Sequence, residues 1–221
     1  MGKIPLFDKE QQLIFDQITT EEKFRKHFYF TGGTVLSSFY LQHRYSEDLD
    51  FFSENKFDEN EILAMVNSWA NKYQFTFKNQ LNEVVYMFFL TFKNKKVLKV
   101  DFGYYPHKRV EKGTIVDGIM IDSLFDIAIN KLATVNQRSS VKDFVDLYYL
   151  LDKFTIWDLI NGVKVKFKIE IDHWILASDM IDVVEKFDFM PRMIKPLTLE
   201  ELKIFYRQKA KELGMRQVEK L

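Results

Sequence analysis

Two stretches of this chain hold residue types at spacings suited to phosphate chemistry. Thr31-Gly32-Gly33-Thr34 follows three strand formers, Phe28-Tyr29-Phe30, and precedes an apolar segment with helical spacing, Val35, Leu36, Phe39 and Tyr40. Two glycines let the backbone turn tightly and come close to a ligand. Amides just ahead of a helix N-terminus form a ready phosphate site. Asp48-Leu49-Asp50 then runs into Phe51-Phe52. Read as a strand, it puts both carboxylates on one face and Leu49 on the other. Neighbouring carboxylates repel unless a cation lies between them, and oxygen-only ligation suits Mg²⁺ or Mn²⁺. Each signal alone is more often a plain turn or a solvated strand end. Together they point to phosphoryl or nucleotidyl transfer.

Three later stretches extend the set. Lys99-Val100-Asp101-Phe102-Gly103 closes an alternating strand with a carboxylate. Beside the strand of Asp48 and Asp50, Asp101 would complete a cluster able to hold two divalent ions, or one while the third acid deprotonates a hydroxyl. Otherwise it merely ends a strand. Asp122 or Ser123 is a good N-cap for a helix with an apolar stripe of Leu124, Ile127, Ala128 and Leu132, and Asp126 supports its start. Lys131 lies on that helix, either solvated or reaching phosphate oxygens. In Arg138-Ser139-Ser140-Val141-Lys142-Asp143-Phe144-Val145-Asp146, a serine can cap the next helix. Lys142 and Asp146 are spaced as an i, i+4 pair, and Asp143 and Asp146 share a face. These acids either orient Lys131 or Arg138 by ion pairing or touch a substrate directly. His27, His43, His107 and His173 have no metal or nucleophile spacing. The absence of GxxxxGK[ST] and GxGxxG argues against a P-loop ATPase or a dinucleotide oxidoreductase.

Periodicity supplies the elements that must position these residues. Residues 8–27 read as helix, Phe28–Phe30 as strand, Val35–His43 as helix, Leu49–Phe52 as strand and Phe57–Tyr73 as helix. Phe75–Lys78, Val84–Phe92, Val97–Phe102 and Ile115–Ile121, the last interrupted by Gly118, read as strands. From Ser123 the pattern is helical, except that Val163–Ile171 alternates as a half-exposed strand would. The expected fold class is α+β, with an α/β lobe holding a mixed sheet over residues 1–121 and a mainly helical lobe over 122–221.

With 221 residues, 47% of them hydrophobic, and 22 Phe and 10 Tyr, the chain can bury a large aromatic core. The lack of cysteine excludes a disulfide scaffold, a thiol nucleophile and a Cys-ligated zinc site, and fits a reducing cytoplasm. No signal peptide opens the chain, and no apolar run approaches the roughly 20 residues a membrane span needs. A soluble, cytoplasmic protein is expected. Acidic and basic residues balance at 32 each, so net charge does not declare a nucleic-acid binder. The acids cluster after the Gly-Gly turn and the bases between Lys93 and Lys112. That distribution suits a nucleotide with a polyanionic acceptor as well as it suits ordinary mixed surface.

The Gly-Gly turn followed by Asp-x-Asp resembles the first motif of the nucleotidyltransferase superfamily related to DNA polymerase beta. More closely, GGT…HRYSEDLDFF resembles the AbiEii/AbiGii-type toxin family of bacterial toxin–antitoxin and phage-defence systems, and the likeness covers most of residues 25–205. The resemblance implies a nucleotidyltransferase-like α/β lobe and transfer of NMP from a nucleoside triphosphate to an RNA, such as the acceptor end of tRNA, with pyrophosphate released. It implies Mg²⁺ or Mn²⁺ held by Asp48, Asp50 and Asp101, the third acid of this fold usually ending a later strand. Gly32, Gly33 and Thr34 would cradle the triphosphate. Lys131 would act on the incoming nucleotide, and Arg138, Lys142, Asp143 and Asp146 match the family's Arg-x-x-x-Lys-Asp-x-x-Asp element. Arg44 and Ser46 would line the nucleotide site, although Arg44 equally suits bracing the turn. A cognate antitoxin is the implied protein partner. The turn departs from the Gly-Ser of many superfamily members, Thr34 keeping the hydroxyl and adding a methyl. Two rival classes are a metal-dependent nuclease using the same carboxylates and a non-catalytic binding protein on the same scaffold.

Overall fold

The computed structural model of the chain describes residues 4–135, 137 and 140–215. By contacts the chain divides into two units. Met1–Tyr40, Ser46–Lys108 and Lys112–Ser123 form the first, and Leu41–Tyr45, Arg109–Glu111 and Leu124–Leu221 the second.

In the first unit, Asp8 accepts hydrogen bonds from the amides of Glu10 and Gln11, and the Gln11 side-chain oxygen in turn accepts the Asp8 amide. This capping box starts helix α1, Lys9–Thr20. Extended backbone at Glu21 ends it, so the single helix expected over 8–27 is two, the second being α2, Glu22–His27. Strand β1, Tyr29–Thr31, leads into one helical turn, α3, Gly32–Val35, and then into a π-helical segment, Leu36–Leu41. The periodicity of Val35–His43 suggests a plain α-helix instead. The Ser37 hydroxyl donates back to the Thr34 carbonyl at 3.3 Å, a local competitor of the regular ladder. Next come β2, Leu49–Ser53, and α4, Glu59–Tyr73, capped by Asp58. Strands β3 (Thr76–Asn82), β4 (Val85–Thr91), β5 (Val97–Tyr104), β6 (Thr114–Val116) and β7 (Ile119–Ile121) complete the unit.

The seven strands form one mixed sheet in the order β3-β4-β5-β2-β1-β7-β6. The pairs β1–β7 and β2–β5 are parallel, and the others are antiparallel. Register turns the period of two into two chemically distinct faces. Phe30 stands opposite Phe51, and Phe51 opposite Phe102. Their rings are 4.8 and 5.9 Å apart, with Phe15 of α1 5.4 Å from Phe30 and Phe24 of α2 5.5 Å from Phe51. Each fully buried ring contributes roughly 1.5–3 kcal/mol, so this ladder fixes which face looks inward. One residue earlier on both strands, Asp50 stands opposite Asp101. A one-residue slip would exchange the aromatic and acidic faces, so the core sets the position of the carboxylates.

In the second unit, α5 (Leu124–Val135), α6 (Val141–Leu150), α7 (Ile156–Phe167), α8 (His173–Val184) and α9 (Leu199–Met215) follow in order. Residues 163–167 are helical, contrary to the strand suggested by their alternation. Thr155 and Asp158 form a capping box that starts α7, and Ile156, Leu159, Val163 and Lys166 fall on its buried side. Gly162 lies so close to Ile129 of α5 that a Cβ there would approach Ile129 Cγ1 to 2.5 Å. Lys166 is buried because Asp126 accepts its ammonium at 2.7 Å, and Asp126 also accepts the amides of Val110 and Glu111 at 2.9 and 2.8 Å. Burial would raise the Asp126 pKa, but Lys166 and the two amides hold it below the usual carboxylate range. Asp126, the acid in the first turn of α5 that the sequence suggested, also anchors Val110 and Glu111. On the other side of α6, the Tyr206 hydroxyl of α9 donates to the Phe144 carbonyl at 2.7 Å.

Candidate functional site

The end of β1 turns over Gly32, whose φ of +80° is one that L side chains rarely adopt. A Cβ on Gly32 would lie 2.1 Å from Asp50 Oδ2, so glycine here lets the turn pack directly on the carboxylate. Gly32 and Gly33 are partly exposed. Thr34 is buried, and its hydroxyl donates to the Asp48 carbonyl, tying the turn to the residues that enter β2. With that hydroxyl spent, contact with a phosphate at this turn falls to backbone amides. Ser46 also serves the approach to β2: its carbonyl accepts Gln11 Nε2 at 3.0 Å.

Asp48 and Asp50 are two residues apart on one face, and Asp101 comes to that face from β5. Asp101 is 7% exposed, and its Oδ2 is ion-paired to Lys99 of the same strand. Its Oδ1 is buried with no hydrogen-bond partner among the described residues. Burial pushes the Asp101 pKa up, Lys99 offsets only part of this, and the charge of Asp48 adds to it. An all-oxygen set with an unpartnered buried carboxylate oxygen fits a hard divalent cation. Among the described residues, no three of His, Cys, Asp and Glu converge on one ion position. The ammonium of Lys99 lies in this face instead.

The second unit holds a separate, buried charge cluster. Asp146 of α6 accepts Arg44 Nε at 2.6 Å and Nη2 at 2.8 Å, and pairs with Lys131 Nζ of α5 at 2.6 Å. His43 Nε2 is 2.7 Å from the same carboxylate. Lys131 also donates to Asp143 at 2.6 Å. Burial would raise the Asp146 pKa, but Lys131, Arg44 and the hydrogen bonds from His43 and Arg44 hold it well below the usual carboxylate range. Burial would lower Lys131, yet Asp146 and Asp143 hold it above the usual lysine range. Burial lowers the His43 pKa, and the bond to Asp146 only partly offsets it. A neutral ring would donate to Asp146 from Nε2. Two cations then face two carboxylates.

Placement of the predicted residues is therefore divided. Gly32, Gly33, Thr34, Ser46, Asp48, Asp50 and Asp101 belong to the first unit; Arg44, Lys131, Lys142, Asp143 and Asp146 belong to the second. Arg44 is 2% exposed and braces backbone and helix, donating also to the Tyr45 carbonyl at 3.0 Å. Lys142 is exposed while Asp146 is fully buried, so their i, i+4 spacing does not make a pair. Arg138 lies outside the described residues. Sequence reasoning set aside His43 for want of other histidines, although its partner is an acid a hundred residues away. It also passed over Lys99, whose signal was available: a lysine two positions before Asp101 in an alternating strand must share its face.

A family model described as the nucleotidyl transferase AbiEii toxin of a type IV TA system matches residues 14–217. The chain is 31% identical over 195 residues to a protein of Aquifex aeolicus, aq_aa25, covering 84% of this chain and 87% of that one. In fold it is similar to JHP933 from Helicobacter pylori, with a TM-score of 0.55, 21% identity, and coverage of 96% of this chain and 97% of the other. It is similar at the same TM-score to MenT4, a nucleotidyltransferase toxin from Mycobacterium tuberculosis, at 16% identity over 92% of this chain and 83% of the other.

Proposed function

The chain belongs to the AbiEii nucleotidyl transferase toxin family, and from that premise we propose that it transfers NMP from a nucleoside triphosphate to an RNA acceptor in a reaction that depends on Mg²⁺ or Mn²⁺. The observation that carries this reading is the in-register pair Asp50–Asp101 with Gly32 packed on Asp50. It brings a glycine turn against one of two carboxylates that share a sheet face. The amides of Gly32 and Gly33 bind phosphate oxygens, and Thr34 holds the turn to Asp48. Asp48, Asp50 and Asp101 are the residues that would hold a divalent cation, which when bound neutralises charge developing on the phosphates. The acceptor hydroxyl loses its proton to a carboxylate of this face, with Asp101 suited to that task because burial raises its affinity for a proton. The acceptor oxygen then bonds to the α-phosphorus as the bond to pyrophosphate breaks. Any role of Lys131 on the nucleotide, which the family likeness suggests, would cost it a bond to Asp143 or Asp146. An antitoxin encoded for this toxin is the expected partner in the cell.

Incubating the protein with Mg²⁺, total RNA and each α-labelled nucleoside triphosphate in turn tests the reading. Label should enter a discrete RNA band with the intact protein and not with Asp48→Ala. RNA that shortens without gaining label would instead identify a nuclease, and RNA left unchanged would sink the RNA-directed reading.

Gly32→Ala gives a sharper local test. The side chain meets both an unfavourable φ and the Asp50 carboxylate. We expect a loss of about 1–3 kcal/mol in urea unfolding and a fall in transfer of at least about tenfold as the carboxylate is pushed aside. Full activity in Gly32→Ala would dissociate the turn from the reaction.

A further inference from the structure

Strand β5 places a cation of its own among the carboxylates. Lys99 and Asp101 share one face of the strand, and Lys99 Nζ is ion-paired to Asp101 Oδ2. Asp50 is in register with Asp101, and Leu49 with Val100, so Asp48 enters β2 alongside Lys99. The ammonium thus lies in the field of all three acids. Burial alone would lower its pKa, but Asp101, Asp50 and Asp48 together hold it above the usual lysine range. Three ionised carboxylates carry three negative charges, more than one divalent ion balances, whereas with Lys99 among them the face carries two, which one divalent ion matches.

Resting on the reading of Asp48, Asp50 and Asp101 as cation ligands, we propose that Lys99 is a built-in counter-cation occupying a position at Asp101 that a divalent ion would otherwise take. The chain alone then binds at most one divalent ion at this face. Any second ion has to displace the ammonium or arrive already bound to the triphosphate. Lys99 is a positioning residue in this scheme: it holds the Asp101 carboxylate by Oδ2 while leaving the buried Oδ1 open. A lysine that merely stiffened the strand would leave ion stoichiometry unchanged.

Calorimetric titration of the full chain with Mn²⁺, without nucleotide, separates these possibilities. Wild type and Lys99→Arg, which keeps the charge, should bind no more than one Mn²⁺. Lys99→Met keeps the packing of the stem and removes the charge; it should gain a further Mn²⁺ or bind the ion at least about tenfold more tightly, a change of about 1.4 kcal/mol. Asp50→Asn should weaken binding in both backgrounds. Two ions in wild type, or identical stoichiometry and affinity in wild type and Lys99→Met while Asp50→Asn still weakens both, would overturn the proposal and leave the carboxylate reading standing. Mn²⁺ binding indifferent to Asp50→Asn in either background would overturn both.

Discussion

Asp50→Asn should reduce nucleotidyl transfer by about 10³-fold or more while the protein remains folded. The substitution is nearly isosteric and deletes one negative charge from a face that gathers three carboxylates and one ammonium. Stabilisation of developing phosphate charge by preorganised groups is the main source of rate in such reactions, and single contributions of this kind are worth about 10²–10³. Asp50 adds a further share by sitting against Gly32, so its charge also shapes the ground on which a phosphate rests. The structural cost should stay small. Asp50 is part-exposed, and the ring ladder of Phe30, Phe51 and Phe102 lies on the opposite face of the same strands. Asp101→Asn is a poorer probe, because it strips Lys99 of its ion-pair partner at a buried position and mixes stability into the result. Single-turnover transfer of labelled nucleotide and a urea unfolding curve on the same preparation decide the matter. A variant with more than a tenth of the wild-type rate would show that Asp50 is not part of the reacting face. An inactive variant that is also destabilised beyond about 1 kcal/mol would show that its role is in the fold.

Why the side of the strand taken by Asp50 was legible in the sequence, while much else was not, comes down to the range over which each signal acts. Strand alternation is local: Asp48-Leu49-Asp50 and Val100-Asp101-Phe102 announce which side each residue takes, and the aromatic positions between them confirm it through burial. The strand order that brings β2 beside β5 was only a supposition at that stage, because pairing across the chain leaves no mark on either segment alone. Helix α7 shows local signals in conflict. Val163 to Phe167 alternates, but Thr155, Asp158, Leu159 and Gly162 before it belong to a helix, and a buried Lys166 counts as polar until its partner Asp126 is known. The same blindness hid the partner that His43 and Arg44 share. His43 was set aside for want of other histidines, and Arg44 was read as lining the nucleotide site or bracing the turn, whereas both side chains meet Asp146. The stretch Leu41–Tyr45 lies in sequence between two parts of the first unit and takes its contacts from the second. Hydrophobic periodicity carries no information about such an excursion. The wide π turn at Leu36–Leu41, directly before it, was equally invisible in the spacing of Leu36, Phe39 and Tyr40.

The buried cluster makes the second large prediction, and it concerns stability and its pH dependence. Asp146→Ala should cost about 3–5 kcal/mol in urea unfolding, the usual penalty for removing one partner of a buried ion pair. Arg44 and Lys131 would remain as buried cations that have lost this carboxylate. Acid should expose the cluster in two stages. His43 has a folded-state pKa below its ordinary 6.5 because burial disfavours the imidazolium, with Arg44 and Lys131 adding repulsion against the attraction of Asp146. The unfolded chain therefore takes up the His43 proton first. Its contribution is fully present above about pH 6.5 and is lost as pH falls toward the folded value, with a slope of up to about 1.4 kcal/mol per pH unit. Asp146, held well below the usual carboxylate range, behaves as a depressed acid: its contribution is present above the unfolded carboxylate pKa near 3.9 and disappears only as pH falls further. His43→Gln isolates the first stage, since Gln can still donate to Asp146 but cannot take up a proton. Of the four histidines, His43 alone is fully buried. The variant should accordingly keep its stability nearly flat between pH 7 and 5 while wild type loses it. Parallel loss in the two proteins across that window would place the acid sensitivity elsewhere. A flat profile with the steep Asp146 stage still present below about pH 4 would establish that the buried histidine is neutral in the folded protein.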